Sequence, residues 1–153
     1  MEYIGEHLLI GEIGNLFLLT GFAFGLLSTA SYFIAEYKSQ DDWRKLGRYS
    51  FWIHSIGVIG MVATLFTMIF NQYFEYHYIW QHSSTELPLR FIFSCFWEGI
   101  EGSFMLWMFW HVVVANILLL IIRNWESPVM AVIASIQVFL TSMLLGIYIL
   151  EYK

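Results

Sequence analysis

Charged residues fall in short bursts along this chain, and long apolar runs lie between them. Four stretches carry no acid, lysine or arginine: residues 13–35, 49–74, 104–122 and 128–150. A helix that crosses a bilayer needs about 20 predominantly apolar residues, each rising about 1.5 Å. All four stretches meet that requirement. They predict an all-α, polytopic integral membrane protein with four transmembrane helices, forming a single membrane domain over residues 1–153. The one long connection, 75–103, opens with the aromatic-rich Glu75-Tyr76-His77-Tyr78-Ile79-Trp80-Gln81-His82, a composition suited to a membrane interface.

Composition agrees with the pattern. Hydrophobic residues make up 59%, charged residues 12%, and the mean hydropathy is +0.65. Glu2, Glu6 and Glu12 precede the first run where a cleaved signal would carry basic residues, so that run is read as a span. Five of the seven basic residues, Lys38, Arg44, Lys45, Arg48 and Arg123, fall between spans one and two or between spans three and four. The positive-inside rule then makes 36–48 and 123–127 cytoplasmic, with both termini and the loop 75–103 outside. The net charge of −5 argues against a nucleic-acid partner. Cys95 is alone, so the chain has no internal disulfide, and the thiol reads as a small buried side chain.

Within the loop, Ser83-Ser84-Thr85-Glu86-Leu87-Pro88 predicts a turn. A short external helix is expected to begin near Pro88 or Leu89, since proline is tolerated in a first turn. Unbroken helix from Leu89 to Ile122 would be about 51 Å long at about 1.5 Å per residue, more than a hydrocarbon core of about 30 Å. Gly99 and Gly102 are therefore expected to break it before span three. Glu98 and Glu101 flank that point three residues apart, a spacing that places both on one side of a helix. Carboxylates at the mouth of a span face protein or a wet cavity.

These residues carry a resemblance. Tyr78-Ile79-Trp80-Gln81-His82-Ser83-Ser84-Thr85-Glu86-Leu87-Pro88, an eight-residue spacer, Trp97-Glu98-Gly99-Ile100-Glu101-Gly102-Ser103 and then Leu106-Trp107 match a known pattern. It reads Y-x-x-x-x-S-x-x-x-L-P, then W-x-G-x-E-G-S-x-x-L-W, and resembles the N-terminal region of CcmF-type haem lyases, the multi-span proteins of cytochrome c maturation. Gly11-Glu12-Ile13-Gly14 also looks like the start of that family's first helix. The resemblance implies a bacterial inner-membrane scaffold with a periplasmic loop 75–103. It also implies haem as the group handled, and apocytochrome c and other maturation subunits as partners. It points to Trp97, Gly99, Glu101, Gly102, Ser103 and Trp107 as the haem-facing set, with His111 as an outlying candidate; Glu98 and Ile100 fall at variable positions. The family's tryptophan-rich W-G-x-W-W-x-W-D segment is absent from these 153 residues. The expectation is an N-terminal fragment or one part of a split system, inactive as a lyase alone. The catalytic residues are unassigned, and no metal site is expected.

Two other classes remain open on the residues themselves: a transporter or channel fragment with Glu98 and Glu101 lining a polar path, and a b-type electron-transfer subunit. The second would need His54 and His111 on one iron. His54 lies about 7–8 Å from one edge and His111 about 10–11 Å from the other, so they differ in depth by about 12 Å in a core of about 30 Å. That does not fit two axial ligands. His111 shares a face with Ile100, Phe104 and Trp107. His77 and His82 belong to the loop.

Reporter fusions test the orientation. A fusion after Lys45 should read cytoplasmic and one after Ser84 external; the reverse pair of signals would invert the topology.

Overall fold

The computed structural model describes residues 7–84, 88–122 and 124–151. Glu2, Glu6, Thr85, Glu86, Leu87, Arg123 and Lys153 lie outside the described residues, and with them the centre of the predicted Ser–Pro turn. The described chain is helical, with no strand. Its elements are α1 (Leu8–Lys38), α2 (Asp41–Phe70), α3 (His77–His82), α4 (Leu89–Cys95), α5 (Ile100–Ile121) and α6 (Glu126–Glu151). Among the described residues, α1, α2, α5 and α6 are the four helices long and apolar enough to cross a membrane.

The helices run past the limits expected from charge. α1 begins at Leu8 and ends at Lys38, and α2 begins at Asp41. The predicted connection 36–48 therefore shrinks to Ser39 and Gln40, with Ser39 left-handed at φ 52°. Hydropathy marks where the bilayer ends, whereas the helix continues into water. Asp41 and Asp42 suit the positive end of the α2 dipole, and each also pairs three residues on, with Arg44 and Lys45. At its other end α2 stops four residues before the predicted limit of 74. Asn71 closes the helix by donating its N–H to Thr67 O and its side-chain amide to the same carbonyl, and Gln72 turns left-handed at φ 54°.

Small residues let the spans approach. A Cβ on Gly57 of α2 would lie 2.9 Å from Gly21 Cα of α1, so the two backbones touch there. α6 packs on α1 and α5, and α5 packs on α2, so the four spans close a ring. Polar groups within it are tied across helices. The His54 ring donates from Nδ1 to Gly21 O at 2.7 Å, Gln137 donates to Met108 O at 2.9 Å, and Asn116 donates to Ser55 Oγ at 3.0 Å.

An ionic lock closes the end of the bundle with the short connections. Arg48 of α2 grips Glu126 of α6 through two hydrogen bonds, and Tyr32 of α1 donates to the same carboxylate at 3.3 Å. Glu126 is buried, whereas Arg48 keeps 38% of its side-chain surface exposed. Removing Arg48 therefore strands a buried charge, and removing the Glu126 charge leaves a cation that still reaches water. Arg48→Met should cost about 3 kcal/mol and lower the thermal midpoint in detergent more than Glu126→Gln does. Equal shifts for the two variants would contradict this assignment.

Candidate functional site

At the other end of the bundle, residues 71–84 and 88–99 fold over the mouths of the spans; this is the loop end. Leu8 of α1 and Ile147 of α6 share one cavity there with Tyr76, so the start of α1 and the end of α6 both sit at the loop end.

The Trp97–Ser103 segment forms a corner. α4 stops at Cys95, residues 96–99 turn, and Gly99 is the N-cap of α5. This is the short helix and the break expected from the sequence. Tyr78 of α3 staples the corner: its hydroxyl is shared between Phe96 O at 2.8 Å and Cys95 O at 3.0 Å, and it accepts the Gly99 N–H at 3.3 Å. A Cβ on Gly102 would lie 1.5 Å from Phe96 O, so only glycine allows that carbonyl to rest on the helix. Ser103 donates from Oγ to Trp97 O at 3.0 Å. Phe96, buried, stacks on Phe66 of α2 at 4.4 Å and anchors the turn to span two. Burial pushes the Tyr78 hydroxyl up to about 12, from 10.0. The protonated hydroxyl therefore holds the corner at full strength below about pH 10, and that contribution is lost as pH rises towards 12.

The corner splits the candidate residues. Gly99, Ser103 and Trp107 line an open cleft of about 240 Å³ with Glu98, Ile100 and Phe104. Trp97 and Trp107 are exposed, at 48% and 61%. Glu101 also borders a cavity of about 460 Å³ between the spans, with Glu12, Asn15, Thr64, Tyr76 and three methionines, while its Oε2 lies 3.0 Å from where a Cβ on Gly99 would stand. Gly102 is buried beneath Phe96 O. Both carboxylates lie close enough to the Tyr78 hydroxyl to help raise it. The helix starts at Ile100, so Glu98 lies in the turn and three-residue helical spacing does not apply to the pair.

The histidines separate as well. His54 is fully buried inside the bundle, whereas His111 is exposed on α5, on the same outward face as Ile100 and Trp107. Among the described residues, no group of three His, Cys, Asp or Glu side chains is placed to hold a metal. In the loop, His77 stacks on Trp80, and His82 turns its Nδ1 to Tyr78 O at 2.9 Å. Cys95 is buried, and burial, with Glu98 nearby, raises its thiol above the usual range, as expected of an unreactive core cysteine.

Sequence reasoning gave Tyr78 no role beyond its place in the pattern, and it did not connect Glu12 to Glu101. It also passed over a clasp on the first turn of α1. Tyr76 donates to His7 O at 2.8 Å and accepts the Gly11 N–H at 3.0 Å. His7 binds Glu75 through its backbone N–H at 3.1 Å and its Nδ1 at 3.0 Å, and stacks on Tyr73 at 4.1 Å. Partial burial acts to raise Glu75, but hydrogen bonds from its own backbone and from His7 hold it below the usual carboxylate value.

No family profile matches the chain, and no curated protein matches it. Among solved structures, the cytochrome c heme lyase CcmF matches with a TM-score of 0.81 and 22% identity, over 93% of this chain and 24% of that protein. The chain thus spans about a quarter of the length of CcmF and shares the fold of that part. The fold and membrane class expected from the sequence are those observed.

Two glycines of the same chain test the corner. Gly102→Ala should lower the thermal midpoint and loosen α4, because its methyl displaces Phe96 O. Gly146→Ala adds a methyl with nothing within 4 Å and should stabilise α6 by about 0.5–1 kcal/mol. Identical responses would mean that Gly102 is not holding a close backbone contact.

Proposed function

We propose that this chain is the membrane scaffold of a cytochrome c maturation system, a haem lyase-like region that helps bring haem to apocytochrome c at the loop end. The observation that carries the reading is the corner itself. The residues that resemble the haem lyase pattern, Tyr78, Gly99, Gly102 and Ser103, are those whose contacts build it, inside a fold shared with CcmF. The same reading puts the chain in the bacterial inner membrane with the loop end in the periplasm, beside other maturation subunits.

The residues present do not fit an axially ligated haem. His54 has its Nδ1 engaged by a backbone carbonyl and its ring enclosed, and His111 points away from it at the bundle surface. What the chain does offer is the pair of exposed indoles, Trp97 and Trp107, beside the cleft at Gly99 and Ser103. Their flat apolar faces suit stacking against a planar aromatic group. The role is thus positioning, and the axial ligands come from elsewhere in the assembly. Glu98 borders the cleft and Glu101 the cavity, two separate hollows, which gives a single carboxylate-lined channel little support. The separation of the two histidines likewise disfavours a b-type electron-transfer subunit.

Haem titration of the chain in detergent should give at most a weak, broad spectrum, unchanged in His54→Ala. In the assembled system, Glu101→Gln should lower covalent haem attachment to a reporter cytochrome c more than Glu98→Gln, normalised to membrane levels. A stoichiometric six-coordinate spectrum lost in His54→Ala would overturn the first expectation. Yields equal to the parent for both variants would reduce Glu101 to a helix-dipole residue.

A further inference from the structure

The cavity between the spans at the loop end has walls of one character and a rim of another. Its volume is about 460 Å³, within the range of about 300–1,000 Å³ typical of ligand sites. Its apolar wall comes from Leu18, Leu65, Leu144 and the methionines Met61, Met68 and Met105. Glu12 of α1 and Glu101 of α5 bring two carboxylates to it, and neither forms an ion pair among the described residues. Glu12 lies six residues from Leu18 on α1, about 9 Å along the helix at about 1.5 Å per residue, with the apolar Leu8 farther out on the same wall.

We infer that this cavity is a docking site for an extended polypeptide segment on the loop side, one that inserts an apolar side chain and sets a neighbouring lysine or arginine between Glu12 and Glu101. Charge complementarity selects the cation. Depth and volume select a side chain, because a helix about 10–12 Å across does not fit the space. The methionines select a protein partner of variable sequence: an unbranched, polarisable wall repacks around different apolar side chains, and an acidic rim beside such a wall suits basic amphipathic segments. A long basic side chain can lie along the apolar wall with its charge at the rim. The same rim disfavours haem, whose propionates would meet two carboxylates. The site is also prepared in advance, since the Tyr76 hydroxyl ties the rim to His7 O and Gly11 N. The inference stands on the cavity and requires no haem chemistry.

The test uses the full chain in phosphatidylcholine nanodiscs, with empty discs subtracted. The probes are a fluorescent peptide of alternating leucine and lysine with a photoreactive leucine analogue, the same peptide with glutamate for lysine, and octylamine. The lysine peptide should bind, crosslink to Met61, Met68 or Met105, and weaken with salt. Roughly tenfold should be lost in Glu12→Gln/Glu101→Gln, as expected for two charge pairs of about 0.7 kcal/mol each. The glutamate peptide should not bind. Leu144→Trp, which fills the floor and keeps both charges, should abolish crosslinking, with thermal midpoints checking that each variant is folded. Binding unchanged in both variants, or crosslinks elsewhere, would overturn the inference. Capture of octylamine without the lysine peptide would also overturn it, since a small amphiphile would then be the occupant. No arm of this test reads cytochrome maturation, so its failure leaves the proposed function standing.

Discussion

The loop end is organised by one close contact, the carbonyl of Phe96 lying where a side chain on residue 102 would have to be. A carbonyl this enclosed needs a donor, and Tyr78 provides it from α3. Gly99 then starts α5 without a side-chain cap, and its N–H goes to the same hydroxyl. The direction in which α5 leaves the corner decides what each later residue faces. Trp107 and His111 turn outward, Met108 and Val112 turn into the core, and Glu101 meets the cavity.

This arrangement divides structure from recognition within one short motif. Gly102 is consumed by packing and Ser103 by its bond to Trp97 O, and both would be needed whether or not a ligand exists. Trp97 and Trp107 keep much of their surface exposed, and Glu101 sits in the first turn of α5, where the helix dipole favours its charge. The two hollows beside it are chemically unlike: an aromatic cleft on the outer face of α5, and a methionine-walled cavity bordered by Glu12 and Glu101. The opposite end of the bundle has a different role. There Arg48, Glu126 and Tyr32 lock three spans through a buried carboxylate, giving the loop end a fixed base.

The four spans were legible in the sequence because freedom from charge over about 20 residues has few other causes. Helix ends were less so: Asp41 and Lys38 are charged and helical at once, and hydropathy sees only the charge. The break at Gly99 was legible from glycine spacing, whereas α3 is six residues long, too short to show a period. Helical spacing did not describe Glu98 and Glu101 because α5 starts at Ile100, two residues after Glu98. Tyr78 and Glu12 did not emerge as site residues because their roles exist only across chain separations of 18 and 89 positions, in contacts with Phe96 and around the cavity shared with Glu101.

The central claim is that the corner is a folded element of this chain by itself, formed before any haem or partner arrives. Hydrogen exchange of the haem-free chain in nanodiscs measures this directly at the backbone amides of 99–103. The account predicts that Gly99 and Ser103, bonded to Tyr78 and to Gly99 O, exchange as slowly as Arg44 and Val129, the bonded amides that open α2 and α6. Exchange at the intrinsic rate of an unprotected amide would mean that the corner is not formed without a partner, and would contradict it.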